Sequence, residues 1–329
     1  MRSRSPGVPR FRSPGVPRSR SPGVPKSGSP GVSKSGSPGV SRSRDRGAEF
    51  RERLDRLYAD FNHPESAFDP IQVVRQYPRL DDREIVAFIA AGLAFGRVAS
   101  VVASIEAVCQ VLGPSPAAAV RAFDPARDAG PLLPLVHRWI KGRDLVALLW
   151  MLRQAIEDAG SLEAYFARGW SAEAPDVSGA LESFSNRART IDLRPAYGRV
   201  PKTPAVYFFF SRPSSGGACK RLNLFLRWMV RADGVDPGGW QTPRPGQLVI
   251  PLDTHTIRAG HCLRLTRRAS PGWNMAADIT STLRALDPTD PVRYDFSLCH
   301  LSMMGACGYK TKQGDTQCPL KGLCRPLGK

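Results

Sequence analysis

The stretch over residues 81–113, DDREIVAFIAAGLAFGRVASVVASIEAVCQVLG, predicts two helices with a break near Gly96. The first helix is apolar on nearly every side, and a helix without a polar face is buried in the interior of a protein. Further helices are predicted over 145–159 and 161–170. No segment alternates polar and apolar residues convincingly, and YFFF at 207–210 is the nearest to a strand. The sequence therefore predicts a mainly α-helical fold.

The first 46 residues differ in composition from the rest of the chain. SPGV recurs at a fixed interval between residues 5 and 40. The Pro-Gly of each unit interrupts helices and strands, and a single valine per unit is too little to build a core. We interpret 1–46 as a disordered basic tail of Ser, Pro, Gly and Arg, which either holds nucleic acid non-specifically or has no specific role. Residues 47–329 are predicted to form one all-helical domain.

The charge of the chain restricts its partners. It carries 47 Lys+Arg against 29 Asp+Glu, a formal net charge of +18, and more than half of this charge lies in 1–46. Such a balance favours a polyanion, either a nucleic acid or an anionic membrane surface. The longest apolar stretch, 85–95, is too short to cross a bilayer, and the N-terminus lacks the apolar run of a signal peptide. We expect a monomeric cytoplasmic protein that binds double-stranded DNA in the nucleoid and has no membrane partner.

Four of the seven cysteines, Cys299, Cys307, Cys318 and Cys324, lie in one segment, 299–324. This clustering favours a local metal site in a reducing compartment over a disulfide framework. Four thiolates are suited to a [4Fe–4S] cluster or, less well because no C-x2-C pair is present, to a tetrahedral zinc ion. Cys299 lies in an apolar helical stretch, and the alternative for it is a buried core thiol.

A turn rich in Pro, Ser and Gly precedes a helix that we expect to begin near Ala218. Lys220, Arg227 and Arg231 are predicted to form a cationic stripe opposite the apolar face of this helix. The turn contains Gly216–Gly217, and a glycine turn that leads into a helix N-terminus presents backbone N–H groups to a phosphate. The alternative is an ordinary amphipathic helix with a solvated basic face.

The segment VIPLDTHTIRAG places a carboxylate, a hydroxyl and an imidazole in a row. Asp and Thr favour helix N-caps, where an anion meets the positive end of the helix dipole, so Asp253 or Thr254 is predicted to begin a helix. The preceding residues 232–247 are rich in Gly and Pro and predict a loop, in which we expect Trp240 to be an anchor rather than a DNA wedge. Asp253 and Lys220 thus lie at the starts of consecutive helices, and we expect them to reach one cleft.

These features occur in the order found in the helix-hairpin-helix DNA glycosylase superfamily, of which endonuclease III is the familiar iron–sulfur member. LDTHTIRAGHCLRL resembles the helix start that carries the catalytic aspartate of that superfamily, and GGACK resembles its hairpin with the catalytic lysine. The cysteine-rich segment resembles its cluster loop. More closely, EIVAFIAAGLAFGRV, ACKRLNLFLRWMVR, PLDTH and PVRYDFSLCHL resemble a bacterial family known as domain of unknown function 2400, over nearly all of 50–329.

The resemblance implies a two-lobed, helical glycosylase-like fold and a base-excision DNA N-glycosylase with AP-lyase activity, which acts on a damaged base flipped out of the duplex. It makes Asp253 the catalytic carboxylate and Lys220 the nucleophile. It also implies a [4Fe–4S] cluster held by the four clustered cysteines. The residues that it assigns to DNA binding are Gly216, Gly217, Arg221, Arg227, Arg231, Arg258 and Arg264.

The sequence departs from the superfamily pattern in three places. The hairpin lacks its second glycine, the separation of Lys220 and Asp253 is longer, and Asp315 occupies the position of one cluster cysteine. The first two departures favour the alternative function, a non-catalytic helical module that binds nucleic acid, whereas the presence of both Asp253 and Lys220 favours the enzyme. The third would change the geometry of the cluster.

Overall fold

The mainly helical character predicted from the sequence is confirmed in the computed structural model, which describes residues 39–66, 68–304 and 318–324, with side chains from residue 47. The described residues from Arg44 onward belong to one compact unit. The helices in the described ranges are α1 Gly39–Phe61, α2 Ile71–Val74, α3 Leu80–Leu93, α4 Val98–Leu112, α5 Pro116–Ala122, α6 Pro125–Asp128, α7 Gly142–Ala159, α8 Leu162–Ala167, α9 Ser178–Arg189, α10 Arg194–Tyr197, α11 Lys220–Val230, α12 Thr254–Cys262, α13 Trp273–Arg284 and α14 Asp295–Met303.

Helices α3 and α4 are the pair predicted on either side of Gly96. Every residue of α3 from Glu84 to Leu93 is buried, as its continuous apolar surface requires. α3 packs against α11, α2, α4 and α5. Its packing is close enough to require a glycine, since a Cβ on Gly92 would lie 2.4 Å from the Phe209 ring. The end of α3 is therefore fixed in the core, and the segment that follows it borders the cavity described below.

The long loop 232–247 is held against α3 by Trp240. The indole is 4 % exposed, and its Nε1 donates to Glu84 Oε1 at 2.9 Å. The expectation that Trp240 anchors the loop is therefore confirmed. Glu84 also accepts hydrogen bonds from the backbone N–H groups of Leu162 and Glu163, both at 2.8 Å, at the start of α8. One buried carboxylate thus joins α3, α8 and the loop.

The carboxyl group of Glu84 makes folding stability depend on pH. Burial raises its pKa to about 7, although the three N–H donors favour the charged form. In the unfolded chain the pKa of a glutamate is about 4.3, so the folded state binds the extra proton between these values. The stabilisation that the protonated Glu84 carboxyl group contributes is complete below its pKa in the unfolded chain. It is lost as the pH rises through the folded-state pKa of about 7.

We expect the free energy of unfolding of the wild type, relative to that of Glu84→Gln, to fall between about pH 4 and pH 7 and to level off above that range. The glutamine does not titrate, so the difference between the two proteins isolates this carboxyl group from all other titrations. Urea denaturation at several pH values measures it. A difference that is flat, or that rises with pH, contradicts the expectation.

The segment whose pattern comes nearest to a strand is not a strand in the structure. YFFF at 207–210 is not extended, and Ala205–Phe208 form a 3-10 helix. A short antiparallel hairpin occurs instead at β1 (Val136–His137) and β2 (Ile140–Lys141), where Val136 pairs with Lys141 and His137 with Ile140. Strands of two residues are too short for alternation to show in a sequence.

Residues 1–38 of the predicted basic tail lie outside the described residues. Residues 39–46 belong to α1, so the predicted boundary at residue 46 falls inside a helix. The prediction that residues 1–38 are disordered therefore stays a prediction.

In the described part of the chain, no single helix combines the length and apolarity of a membrane span. α4 and α5 meet both criteria only when taken together, and that pair is bent by 63°.

Candidate active site

Lys220 is the first residue of α11, two positions after the predicted start. The turn before it is closed by Cys219, whose φ of 48° lies in the left-handed region. The element preceding this turn is a single 3-10 turn, Pro213–Ser215, and not an α-helix. The predicted hairpin at Gly216 and Gly217 therefore does not join two α-helices, which corrects the helix-hairpin-helix expectation at this point of the fold.

Asp253 is the N-cap of α12, so the capping prediction is confirmed. Its Oδ1 accepts hydrogen bonds from the backbone N–H groups of His255 at 2.9 Å and Thr256 at 2.8 Å. These bonds satisfy two of the amide groups that a helix start leaves without partners. They also fix the carboxylate, so that Oδ2 is turned away from the helix.

Asp253 and Lys220 reach the same cleft, as the sequence predicted. Lys220 Nζ lies 3.6 Å from Asp253 Oδ2, and the two side chains are 29 % and 20 % exposed. The ammonium also donates to the carbonyl oxygen of Ala94, just after α3, at 3.2 Å. Two helix starts and the end of a third helix thus hold an amine and a carboxylate together at partly accessible positions.

The pair borders a cavity of about 140 Å³ between α11, α12, α14 and the α3–α4 segment. Leu224, Trp228 and Phe296 contribute apolar and aromatic lining. Its polar lining includes Lys220, Asp253, Arg227 and Asp295. Apolar walls that carry several polar groups are the usual form of a small-molecule site.

The electrostatic surroundings keep Asp253 ionised. Burial by itself raises the pKa of this carboxyl group, but the Lys220 ammonium and the backbone N–H of Thr256 outweigh burial and hold the pKa below its ordinary value. At neutral pH the cavity therefore contains a fixed negative charge beside a lysine.

Sequence analysis did not identify the contribution of α14 to this cavity. Asp295, Phe296, Cys299, His300 and Met303 all line it. Their spacing places them on one face of a helix, and this face is the signal in the sequence that would have grouped them.

The prediction that Cys299 is a metal ligand is not supported by its position. Its thiol donates to Asp253 Oδ2 at 3.7 Å, and it lines the cavity with Lys220. Burial, together with Asp253 and Asp295, raises the pKa of the Cys299 thiol well above its ordinary value, so it stays protonated. Cys299 is not a simple core thiol, because it contacts the carboxylate of the site.

The other predicted ligands do not assemble with Cys299 in the described ranges. Cys318 and Cys324 line a different, small cavity together with Cys262. Cys307 lies outside the described residues. Within those residues, no group of three or more His, Cys, Asp or Glu side chains is arranged to hold a metal ion. Because Cys307 is not among the described residues, the four-cysteine [4Fe–4S] or zinc site stays a prediction.

Arg227 and Arg231 do not form the predicted cationic stripe. Their side chains are 4 % and 3 % exposed. Arg227 pairs with Asp236 at 3.1 Å and with Asp295 at 2.6 Å, while Arg231 pairs with Asp290 at 2.9 Å. Aspartates from the 232–247 loop, from the segment before α14 and from the first position of α14 neutralise these arginines. These two residues are internal and do not contact phosphates.

Arg221 is also directed into the protein. Its Nε and Nη2 donate to the carbonyl oxygen of Phe208 at 3.1 and 2.6 Å, and its guanidinium lies 3.2 Å from the centre of the Phe208 ring. Burial lowers the pKa of Arg221 to about 10. The structure assigns Arg221 an internal contact in place of the predicted DNA contact.

The remaining predicted DNA-binding residues lie at or near the surface. Gly216 and Gly217 are exposed, and the Gly216 carbonyl accepts a hydrogen bond from Trp273 N at 3.1 Å. Arg264 is exposed and Arg258 is partly exposed. Their role in binding DNA stays a prediction.

Comparison with known proteins gives one family match. The model of the family described as Protein of unknown function (DUF2400) matches residues 69–304, a range that includes Lys220, Asp253 and all of α14. No curated protein and no solved structure matches the chain.

Proposed function

The chain belongs to the DUF2400 family, and on that premise we propose that it is a DNA N-glycosylase in which Asp253 and Lys220 act on a base held in the cavity. The observation that carries this proposal is the separation of 3.6 Å between Lys220 Nζ and Asp253 Oδ2 at the edge of a cavity. An amine beside a fixed carboxylate is suited to chemistry at a carbon that becomes positively charged.

The size of the cavity supports a single flat ring as its occupant. It measures about 140 Å³, and an engineered cavity of about 150 Å³ in another protein takes up benzene. A base that is paired in a duplex has no access to such a space. The proposal therefore includes extrusion of the nucleotide from the stack before reaction.

The chemistry divides between the two side chains. As the bond between the sugar C1′ and the base nitrogen breaks, the base leaves with the electron pair and takes up a proton, and positive charge develops on the sugar. The Asp253 carboxylate stabilises this charge. The Lys220 ammonium gives up a proton to solvent, and its amine attacks C1′. After the nitrogen loses a second proton, the C1′–O4′ bond breaks: O4′ leaves with the electron pair and takes up a proton, and the nitrogen lone pair completes the C1′=N bond of a protonated Schiff base. If water attacks C1′ in place of the amine, the product is an abasic sugar in the DNA strand, with no bond to the protein.

The partner in this proposal is double-stranded DNA, bound by a monomer in the cytoplasm. The net charge of +18 supports a polyanionic partner, because cationic side chains release condensed counterions from the phosphate backbone. Affinity is therefore expected to fall steeply as the salt concentration rises.

Borohydride trapping tests the role of Lys220. The protein is incubated with abasic and damaged duplexes and reduced with borohydride, which converts a Schiff base into a stable adduct. We expect an adduct with the wild type and none with Lys220→Ala. Lys202→Ala, a change of an exposed lysine that does not line the cavity, is the matched control and should trap normally. Absence of both adduct and base release over a broad lesion panel contradicts the proposal.

A non-catalytic nucleic-acid-binding module is the second candidate. It is favoured by the net charge of +18, because counterion release from a polyanion requires no catalytic pair. Binding of duplexes with no base release and no adduct would support this candidate over the enzyme.

A further inference from the structure

The hairpin formed by β1 and β2 has unusual residues at its tip. The pairing of His137 with Ile140 leaves a loop of two residues, Arg138 and Trp139. Arg138 has a φ of 55°, in the left-handed region where hairpin loops usually place Gly, Asn or Asp. A large cation and a large aromatic ring thus occupy positions for which local backbone preference selects small residues. Departures of this kind are typical of functional positions.

The hairpin is fixed to the rim of the active-site cavity. His137 is buried, its Nε2 donates to the carbonyl oxygen of Phe95 at 3.1 Å, and its Nδ1 lies 2.9 Å from Ser104 Oγ on α4. Gly96, which follows Phe95 in the chain, lines the cavity. A Cβ on Gly96 would lie 3.2 Å from Arg138 Cδ, so the hairpin tip directly adjoins the rim.

Three aromatic rings form a surface at this tip, which we call the hairpin platform: Phe95, Trp139 and Phe208. Trp139 stacks on Phe95 with the ring centres 4.6 Å apart and an interplanar angle of 28°. Phe208 meets the Trp139 ring edge-on at 5.3 Å. Trp139 nevertheless remains 51 % exposed. Contacts with Phe95 and Phe208 fix the orientation of the Trp139 ring, while much of its surface is open to solvent.

Two exposed arginines lie at the same rim. Arg97 follows Gly96 directly, and the Arg138 guanidinium is 5.9 Å from the centre of the Trp139 ring. In the part of the chain that the structure describes, neither arginine forms a salt bridge with a carboxylate. Open aromatic surface beside uncompensated positive charge is complementary to an unstacked nucleobase and its phosphate.

We propose that the hairpin platform stacks an unpaired base beside the cavity, so that the chain prefers nucleic acid with an unstacked base over intact duplex. This inference rests on the proposed function, because the platform would hold the strand next to the nucleotide that enters the cavity. The preferred substrates are gapped or bulged duplexes and single strands. Stacking on an aromatic ring needs no particular base, so the preference is for strand state and not for sequence.

The test compares the Kd of the full chain for a gapped duplex and for an intact duplex of the same sequence at one salt concentration. Loss of stacking on one aromatic ring raises Kd by about tenfold or more. We expect this change for Trp139→Ala on the gapped duplex and a much smaller change on the intact duplex. Trp139→Phe keeps a flat ring and should retain most of the affinity. Val136→Ala, at a 63 % exposed position of the same hairpin, is the matched control and should bind as the wild type does.

The outcomes separate this inference from the proposed function. Equal effects of Trp139→Ala on gapped and intact duplex, or no effect on either, overturn the platform even if Lys220-dependent trapping is found. A selective effect on gapped DNA without trapping or base release supports the platform and overturns the proposed enzyme. If Trp139→Ala instead lowers binding only to vesicles of anionic lipid, the platform contacts membranes and the inference is wrong.

Discussion

Replacing Arg227 by methionine is expected to lower the free energy of unfolding by about 3–5 kcal/mol, because it leaves buried carboxylates without a cation. Arg227 joins Asp236, which is fully buried, to Asp295, which lines the active-site cavity. Burial already raises the pKa of Asp295 to about 6, although the Arg227 guanidinium favours its ionised form. Without the arginine this carboxyl group loses its strongest stabilising contact. Chemical denaturation with a two-state fit measures the loss.

The matched control is Arg56→Met, which removes an arginine from an exposed pair with Glu52 on α1. Exposed pairs of this kind contribute about 0–1 kcal/mol, so the control should be close to the wild type. The experiment also tests whether Arg227 is an internal residue. If Arg227 contacted phosphates, its replacement would leave stability unchanged and weaken DNA binding, and that outcome contradicts the buried pairing.

Replacing Asp253 by asparagine is expected to reduce the rate of base release by about 10²–10³-fold, the usual cost of removing one group that stabilises a transition-state charge. Asparagine is as good an N-cap as aspartate, so α12 should keep its start. The substitution removes the negative charge beside Lys220 and leaves the hydrogen bonds to His255 and Thr256 available. Single-turnover base release on the best lesion from the panel measures the effect.

Asp253→Ala serves as the comparison, because it removes both the charge and the cap. It should lose about 0.5–2 kcal/mol of stability in addition to activity. If Asp253→Asn retains the wild-type rate while Asp253→Ala is destabilised, the residue is a structural cap and its catalytic role is refuted.

The features that the sequence predicts well depend on local chemistry. The burial of α3 follows from its continuous apolar surface. The start of α12 follows from the capping preference of Asp253, whose partners are two and three residues away. The anchoring of Trp240 agrees with the general gain from packing a large aromatic ring and hydrogen-bonding its N–H group.

The features that the sequence misses depend on partners that are distant in the chain. Arg227 and Arg231 have the spacing of a solvated basic face, and only the packing of Asp236, Asp290 and Asp295 around them makes them internal. Periodicity in one helix carries no information on what covers that helix. Cys299 illustrates the same limit. Its closeness to other cysteines in the sequence suggested a metal site, whereas its position on α14 directs the thiol towards Asp253.

The most direct measurement of the central claim is the location of the trapped adduct. After borohydride reduction with a damaged or abasic duplex, the protein is digested and the peptide that carries the sugar remnant is identified by mass spectrometry. The claim that Lys220, 3.6 Å from Asp253, is the nucleophile predicts the remnant on Lys220. A remnant on another lysine or on the N-terminal amine, or no remnant on any lesion tested, contradicts it.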